Sequence, residues 1–263
     1  MTGPSLAIFH HHVFDFARAR GISSGEALAE TRAMGYDGLV TELSLLADRD
    51  GQLRAFQDAG LRILSIFASI DFIHQPDDVC ARLTDNLLET ASFFGTGNVL
   101  VLPGCFQIGD DASAGLARIH AGLARACRQA APLGIAVTIE DFGTPASPNG
   151  TIADCAGMLD AVPGLKFTFD TGNFSIFGED PHKAYETFRG RIAFVHLKDH
   201  PADSTGKITD LSVPVGDGAL DLGALIRRLL EDGYDGDFAA EHFAFADQGA
   251  AMRRSADFCR ACF

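Results

Sequence analysis

No stretch of this 263-residue sequence stays apolar for the roughly 20 consecutive residues that a membrane helix needs, so a helical membrane span is excluded. Basic residues are scarce: 21 Lys and Arg stand against 35 Asp and Glu, a formal charge of −14. So negative a chain repels nucleic-acid backbones and anionic membrane surfaces. The opening MTGPSLAIFHHHVF has neither the basic flank nor the sustained apolar core of a secretory leader, and its three histidines are too few and too embedded to be a tag. A cytoplasmic location is the expectation. Six cysteines are present, but Cys259/Cys262 has no second pair to complete a zinc site, and reduced structural thiols are expected. Missing too is any Pro/Ser-rich linker or charge block, so residues 1–263 are expected to form one domain; α/β barrels use about 250 residues in this way.

What is present is an alternation of strand-like and helix-like segments, and a hydrophobic fraction of 47% is ample for their core. Strands are expected at Leu6–Val13, Gly38–Leu43, Arg62–Ser69, Asn98–Leu102, Ala136–Glu140, Lys166–Asp170, Ala193–Leu197 and Phe238–Glu241. Helical periodicity falls at 24–35, 48–59, 77–95, 112–133, 151–161, 180–189, 220–232 and 247–261. Strands each followed by a helix must pair in parallel, and this number of repeats predicts an α/β fold, a (β/α)8 TIM barrel. The tetrapeptide GYDG occurs at Gly35–Gly38 and again at Gly233–Gly236, each time between a helix and a strand, as expected of recurring turns around a ring.

Several strands end abruptly in a polar group. The run LKFTFDTGNF delivers Asp170, IAVTIE delivers Glu140, IAFVHLK delivers His196, and the last strand delivers Glu241. Side-chain alternation puts Thr138 with Glu140, Thr168 with Asp170, and Ala239 with Glu241, opposite the bulkier Val137, Ile139, Phe167, Phe169 and Phe238. The small residues and the carboxylates therefore face the barrel axis at its C-terminal mouth, where such barrels carry their active sites. Phe194 departs by sharing the face of His196. Burying three carboxylates and an imidazole without a cation is costly, and the donor set suits Mn²⁺ first, with Mg²⁺, Co²⁺ or Zn²⁺ as alternatives.

The order Glu140, Asp170 in FDTGN, His196 in HLKD, the later VGDGALDLGALIRRLLEDGYDG and Glu241 resembles the xylose isomerase-like barrels of sugar (phosphate) isomerases and epimerases. The detailed likeness covers about the last half of the chain. It implies that Glu140, Asp170, His196 and Glu241 bind a metal, and that Glu140 and Glu241 also move the proton between faces of a small carbohydrate-like substrate. Dehydration of the inosose or dehydroshikimate type on the same site is the alternative, and an inactive sugar-binding module stands further off. The resemblance also implies dimers or tetramers, though no sequence stripe marks a contact. Apurinic endonucleases share the barrel but need a basic DNA-facing surface, which the charge denies. Ketose epimerases of this group carry substrate-binding His and Arg where this chain has Asn173 and Ala202.

Other polar residues near strand ends are candidates for substrate contact: Lys198, Asn173, His12, His74 and Glu42. Lys198 reads either as a group holding a substrate oxygen or as a surface lysine paired with Asp199. Of the histidines at 10–12, a continuing strand would let at most His10 and His12 share a face, and His242 would point outward. Phe9, Phe14, Phe67, Phe72 and Phe106 either wall the pocket or simply pack. The loop Pro201–Gly216 is a candidate lid.

Overall fold

Because a helical return follows every apolar run, the strands can pair in one sense only, and they do. The computed structural model describes residues 3–243 and 247–263; Met1, Thr2 and Ala244–Ala246 lie outside them. Strands β1 (Leu6–Phe9), β2 (Gly38–Glu42), β3 (Arg62–Ser69), β4 (Asn98–Leu102), β5 (Ala136–Glu140), β6 (Lys166–Asp170), β7 (Ile192–Lys198) and β8 (Asp237–Glu241) pair in chain order, and β8 returns to β1 to close the barrel. Around them lie α1 (His10–Arg20), α2 (Ser24–Ala33), α3 (Arg49–Asp58), α4 (Asp77–Phe94), α5 (Ala112–Ala130), α6 (Ile152–Ala161), α7 (Asn173–Ile176), α8 (Pro181–Phe188), α9 (Leu222–Glu231) and α10 (Gln248–Cys262). No described helix is long and apolar enough to cross a membrane.

The first strand is shorter than its apolar run suggests. It stops at Phe9, and His10–His12 form the first turn of α1, a helix that the alternation argument overlooked. Buried His10, Val13 and Ala17, with His12 and Phe16 beside them, recur at helical spacing, so a period near 3.6 was hidden inside what read as a strand. The three histidines consequently fan around a helix instead of alternating across a sheet. α7 was missed as well, being a single turn after β6.

His10 is buried, hydrogen-bonded through Nδ1 to Thr41 Oγ1 at 3.0 Å and stacked on Phe14, and burial followed by neighbouring His11 pushes its pKa down from 6.5 to about 4. Between those values the unfolded chain binds a proton that the folded chain refuses. The contribution to stability is therefore complete above the unfolded value and is lost as pH falls through the window, by up to about 3 kcal/mol. Urea titrations from pH 7 to pH 4 will show a steeper loss for the wild type than for His10→Asn, and equal slopes would refute this.

Two apolar layers flank the sheet. The inner one consists of Ala7, Phe9, Val40, Leu64, Phe194 and Ala239, with Phe67 packed against it, and confirms that Phe194 points inward. Polar residues share the interior and bond to their neighbours: Thr168 donates to Thr138 Oγ1 at 2.8 Å, Thr138 to the Val99 carbonyl, and Ser65 to Asn98 Oδ1. The outer layer holds Ile8, Leu39, Val137, Ile139, Phe167, Phe169 and Phe238 against the helices. Phe72 packs there too, and Phe106 sits against its edge, whereas Phe14 lies on His10. Phe188 of α8 meets Phe167 at 4.4 Å and stacks on Phe174. Phe188→Ala should cost about 3–5 kcal/mol of unfolding free energy in urea titrations, since a rigid β-strand and a one-turn helix cannot collapse into the void.

Both GYDG turns enter strands that flank β1, and Gly35 (φ 103°) and Gly233 (φ 85°) occupy backbone conformations that other residues resist. Tyr36 donates to the Met252 carbonyl of α10 and Tyr234 to the Asp237 carbonyl, so each tyrosine ties its turn to a neighbouring element. All six cysteines are free.

Candidate metal centre

Parallel register converts neighbouring strand ends into neighbouring ligands. Asp170 pairs with His196 across β6 and β7, and Lys198 pairs with Glu241 across β7 and β8, while Glu140 closes β5 on the far side. Glu140, Asp170, His196 and Glu241 are all buried, and one ligand atom from each lies within 4.8 Å of the others. His196 turns Nδ1 toward the carboxylates, 2.8 Å from Glu140 Oε2 and 3.5 Å from Glu241 Oε2. The edges of Phe9 and Phe194 hold its ring at centroid separations of 4.9 and 5.6 Å.

Asp170 is oriented by its own turn. Its Oδ1 accepts from the backbone N–H groups of Gly172 at 2.8 Å and Asn173 at 2.9 Å, which leaves Oδ2 for the centre. That oxygen has the Lys198 ammonium at 3.1 Å but no aligned hydrogen bond, and His196 Nε2 likewise has no partner among the described residues. Lys198 is no surface lysine. Its Nζ lies 2.8 Å from Glu241 Oε1, donates to Asn173 Oδ1 at 3.2 Å and sits 5.6 Å from the Phe243 ring centroid, whereas the Asp199 carboxylate accepts from the backbone of Gly216, Gly218 and Leu220. Asp199 thus pins the end of the candidate lid to the tip of β7. Burial alone would lower the pKa of Lys198, but Asp170, Glu241 and Glu140 outweigh it and raise it. Burial also lowers His196, and the hydrogen bond and charge of Glu140, with the charges of Glu241 and Asp170, more than reverse that. Three carboxylates here collect cations, and a divalent ion fits the donor set: three oxygens and one imidazole nitrogen, with a buried oxygen not committed to any hydrogen bond.

The remaining candidates are dispersed. Asn173 joins the site, since its amide donates to the Asp141 carbonyl at 2.7 Å while its oxygen receives Lys198. His12 is buried and stacks on His242 at 4.5 Å, and His242 in turn is hydrogen-bonded to Gln248 of α10, the outward direction that alternation predicts. His74 is clamped between Asp71 (2.8 Å) and Asp110 (2.9 Å) on loops of the other half of the mouth; those bonds raise its pKa. Glu42, at the tip of β2, accepts from Ser44.

Three residues at the site escaped the sequence argument. Asp141 lies directly behind Glu140, and burial, then the charges of Asp170 and Glu140, raise its pKa far above the usual carboxylate range. His11 stacks on Phe243 at 5.6 Å with its Nε2 buried and without a partner among the described residues. Phe243 covers the mouth beside Lys198 and donates its N–H to Ser212 of the lid at 3.2 Å. Only its place two residues after Glu241 hinted at this.

A closed parallel barrel with this cluster at its C-terminal mouth defines the class, a (β/α)8 barrel with a candidate divalent-metal centre. The chain belongs to the xylose isomerase-like TIM barrel family, whose model matches residues 28–262. It is 26% identical over 132 residues to an inosose dehydratase of Lacticaseibacillus casei, and that match spans 45% of this chain and 44% of the relative, so the chain spans under half the length of the curated relative. Among solved structures it is similar to a probable 3-DHS dehydratase from Bacillus anthracis (TM-score 0.77, 17% identity, covering 98% of this chain and 99% of the other). It is also similar to a D-allulose 3-epimerase from Methylomonas sp. in complex with D-allulose (TM-score 0.78, 18% identity, 100% and 98%). At these identities the structural likeness carries the fold.

Proposed function

We propose that the protein is a divalent-metal-dependent isomerase or epimerase of a small polyhydroxylated carbonyl compound. The observation that carries this reading is the placement of Glu140 and Glu241 on either side of His196, both within 3.5 Å of its Nδ1, at the mouth of the barrel. Glu140, Asp170, His196 and Glu241 would hold the ion, Mn²⁺ by first expectation, and the ion supplies Lewis acidity to the carbonyl and a neighbouring hydroxyl. One glutamate removes the proton from the carbon between them and the other returns it from the opposite face, which inverts that centre; return to the adjacent carbon interconverts aldose and ketose. Lys198 and Asn173 hold a substrate oxygen, His11 offers a neutral imidazole at the rim, and Phe9 and Phe243 keep water from the exposed carbanion.

A second reading, loss of water, is favoured by the Lys198 ammonium, a positive charge inside the site that stabilises a departing hydroxyl by hydrogen bonding, and by the partial likeness to inosose dehydratase. Proton-exchange NMR in D2O with Mn²⁺ decides between them. The wild type should place deuterium next to the carbonyl of a ketose or inosose, with the product showing epimerisation, isomerisation or dehydration. Glu241→Gln should lower the exchange rate by about 10³-fold. Metal-loaded protein that exchanges nothing across ketoses, inososes and dehydroshikimate would refute the proposal.

A further inference from the structure

The segments that connect strand ends to the following helices build the mouth, and their charge is one-sided. Across 43–48, 70–76, 103–111, 141–151, 171–180, 199–221 and 242–247 every segment contains at least one Asp or Glu, and Lys207 is the sole lysine or arginine. Two arginines reach these segments from the helices and are committed there, Arg118 of α5 to the Ile73 and Gln75 carbonyls and Arg254 of α10 to Asp217, while Arg49 in the first turn of α3 is turned away to Asn86 on α4. Inside the mouth Lys198 is engaged by Asp170 and Glu241.

Helix N-termini are the usual anion sites of such barrels, because their free N–H groups and dipoles attract phosphate or carboxylate. Here most of those ends are already capped by carboxylates. Asp48, Asp111, Asp180, Asp221 and Asp247 cap α3, α5, α8, α9 and α10 by accepting from their first-turn N–H groups, α6 has a Thr151/Asp154 capping box, and α4 opens with Asp77 and Asp78. α1 opens with the three histidines, whose imidazoles burial keeps neutral. Among the described helices longer than one turn, only α1 and α4 lack a side-chain cap, and they open on neutral histidines and on Asp77 and Asp78, so an anionic substrate would find no free guanidinium fork and would have to cross a ring of carboxylates.

Resting on the enolisation reading above, we infer that the substrate is an uncharged polyhydroxylated carbonyl compound, a free ketose or cyclic polyol ketone, and that the field of the mouth rejects carboxylated and phosphorylated counterparts. Hydroxyls suit acceptor-rich walls; charges of their own sign do not.

The test uses the full-length Mn²⁺-loaded protein and matched pairs: a free ketohexose with its terminal phosphate ester, and an inosose with dehydroshikimate. Dissociation constants come from calorimetry and exchange rates from NMR in D2O. The uncharged member of the active pair should be favoured by at least ~100-fold at low ionic strength, with the gap narrowing at high salt as the field is screened. Asp210→Lys, an exposed change on the 199–221 loop, should narrow the gap while leaving kcat for the uncharged member unchanged. A charged member bound and exchanged as well as its uncharged counterpart overturns the inference and leaves enolisation standing. Absence of exchange with every compound overturns the enolisation reading, and the inference falls with it.

Discussion

Asp170→Asn will fold but will no longer be stabilised by divalent metal. Asparagine keeps an oxygen for the Gly172 and Asn173 N–H groups, so the β6 turn survives, but the fully buried carboxylate beside the ion is lost. Metal bound only by the native state raises stability by about 2.7 kcal/mol when its concentration is 100 times the dissociation constant. The wild type should show that rise on addition of Mn²⁺ and the variant almost none, with affinity reduced by at least ~100-fold and carbonyl-adjacent exchange at background. Calorimetric titration with Mn²⁺ and thermal unfolding with and without it are the measurements. Wild-type affinity in the variant would remove Asp170 from the centre and with it the case for a single four-residue site.

Lys198→Met should be the most destabilising substitution at the mouth when metal is withheld. Removing the ammonium leaves Asp170 and Glu241 buried without their nearest cation, and breaking a buried pair in this way costs about 3–5 kcal/mol. A divalent ion restores positive charge at the same carboxylates, so much of the loss should be recovered on adding Mn²⁺, although catalysis should not recover. The expected pattern is a large difference in Tm between variant and wild type in chelator, and a small one in excess metal. Equal differences under both conditions would mean that the ammonium and the metal do not share the same carboxylates.

Lys198 also marks where reading from sequence met its limit. Its alternation with His196 placed it on the inward face, but whether the ammonium met Asp199 or the cluster depended on partners 28 and 43 residues away, on β6 and β8. His10–His12 show the opposite difficulty. Local pattern misled there, because a buried helix that follows a buried strand without a break presents one continuous apolar run. His11 and Phe243 could be recognised at the rim only when α1 and the segment after β8 were brought together.

Strand order, parallel pairing, the barrel and the polar residues of its rim were legible in the sequence, because each rests on local periods: two residues per repeat in a strand, 3.6 in a helix, and polar groups where a strand ends. Glu140, Asp170, His196 and Glu241 were legible for that reason. Tertiary structure decided what each polar group touches: that His196 turns Nδ1 to two glutamates, that Lys198 bridges Asp170 and Glu241, that Asp199 ties the lid to β7, and that carboxylates close most of the helix ends at the mouth. Those contacts join residues distant in the chain, and their energies depend on burial and on separations of a few ångströms, quantities that exist only once the barrel has closed.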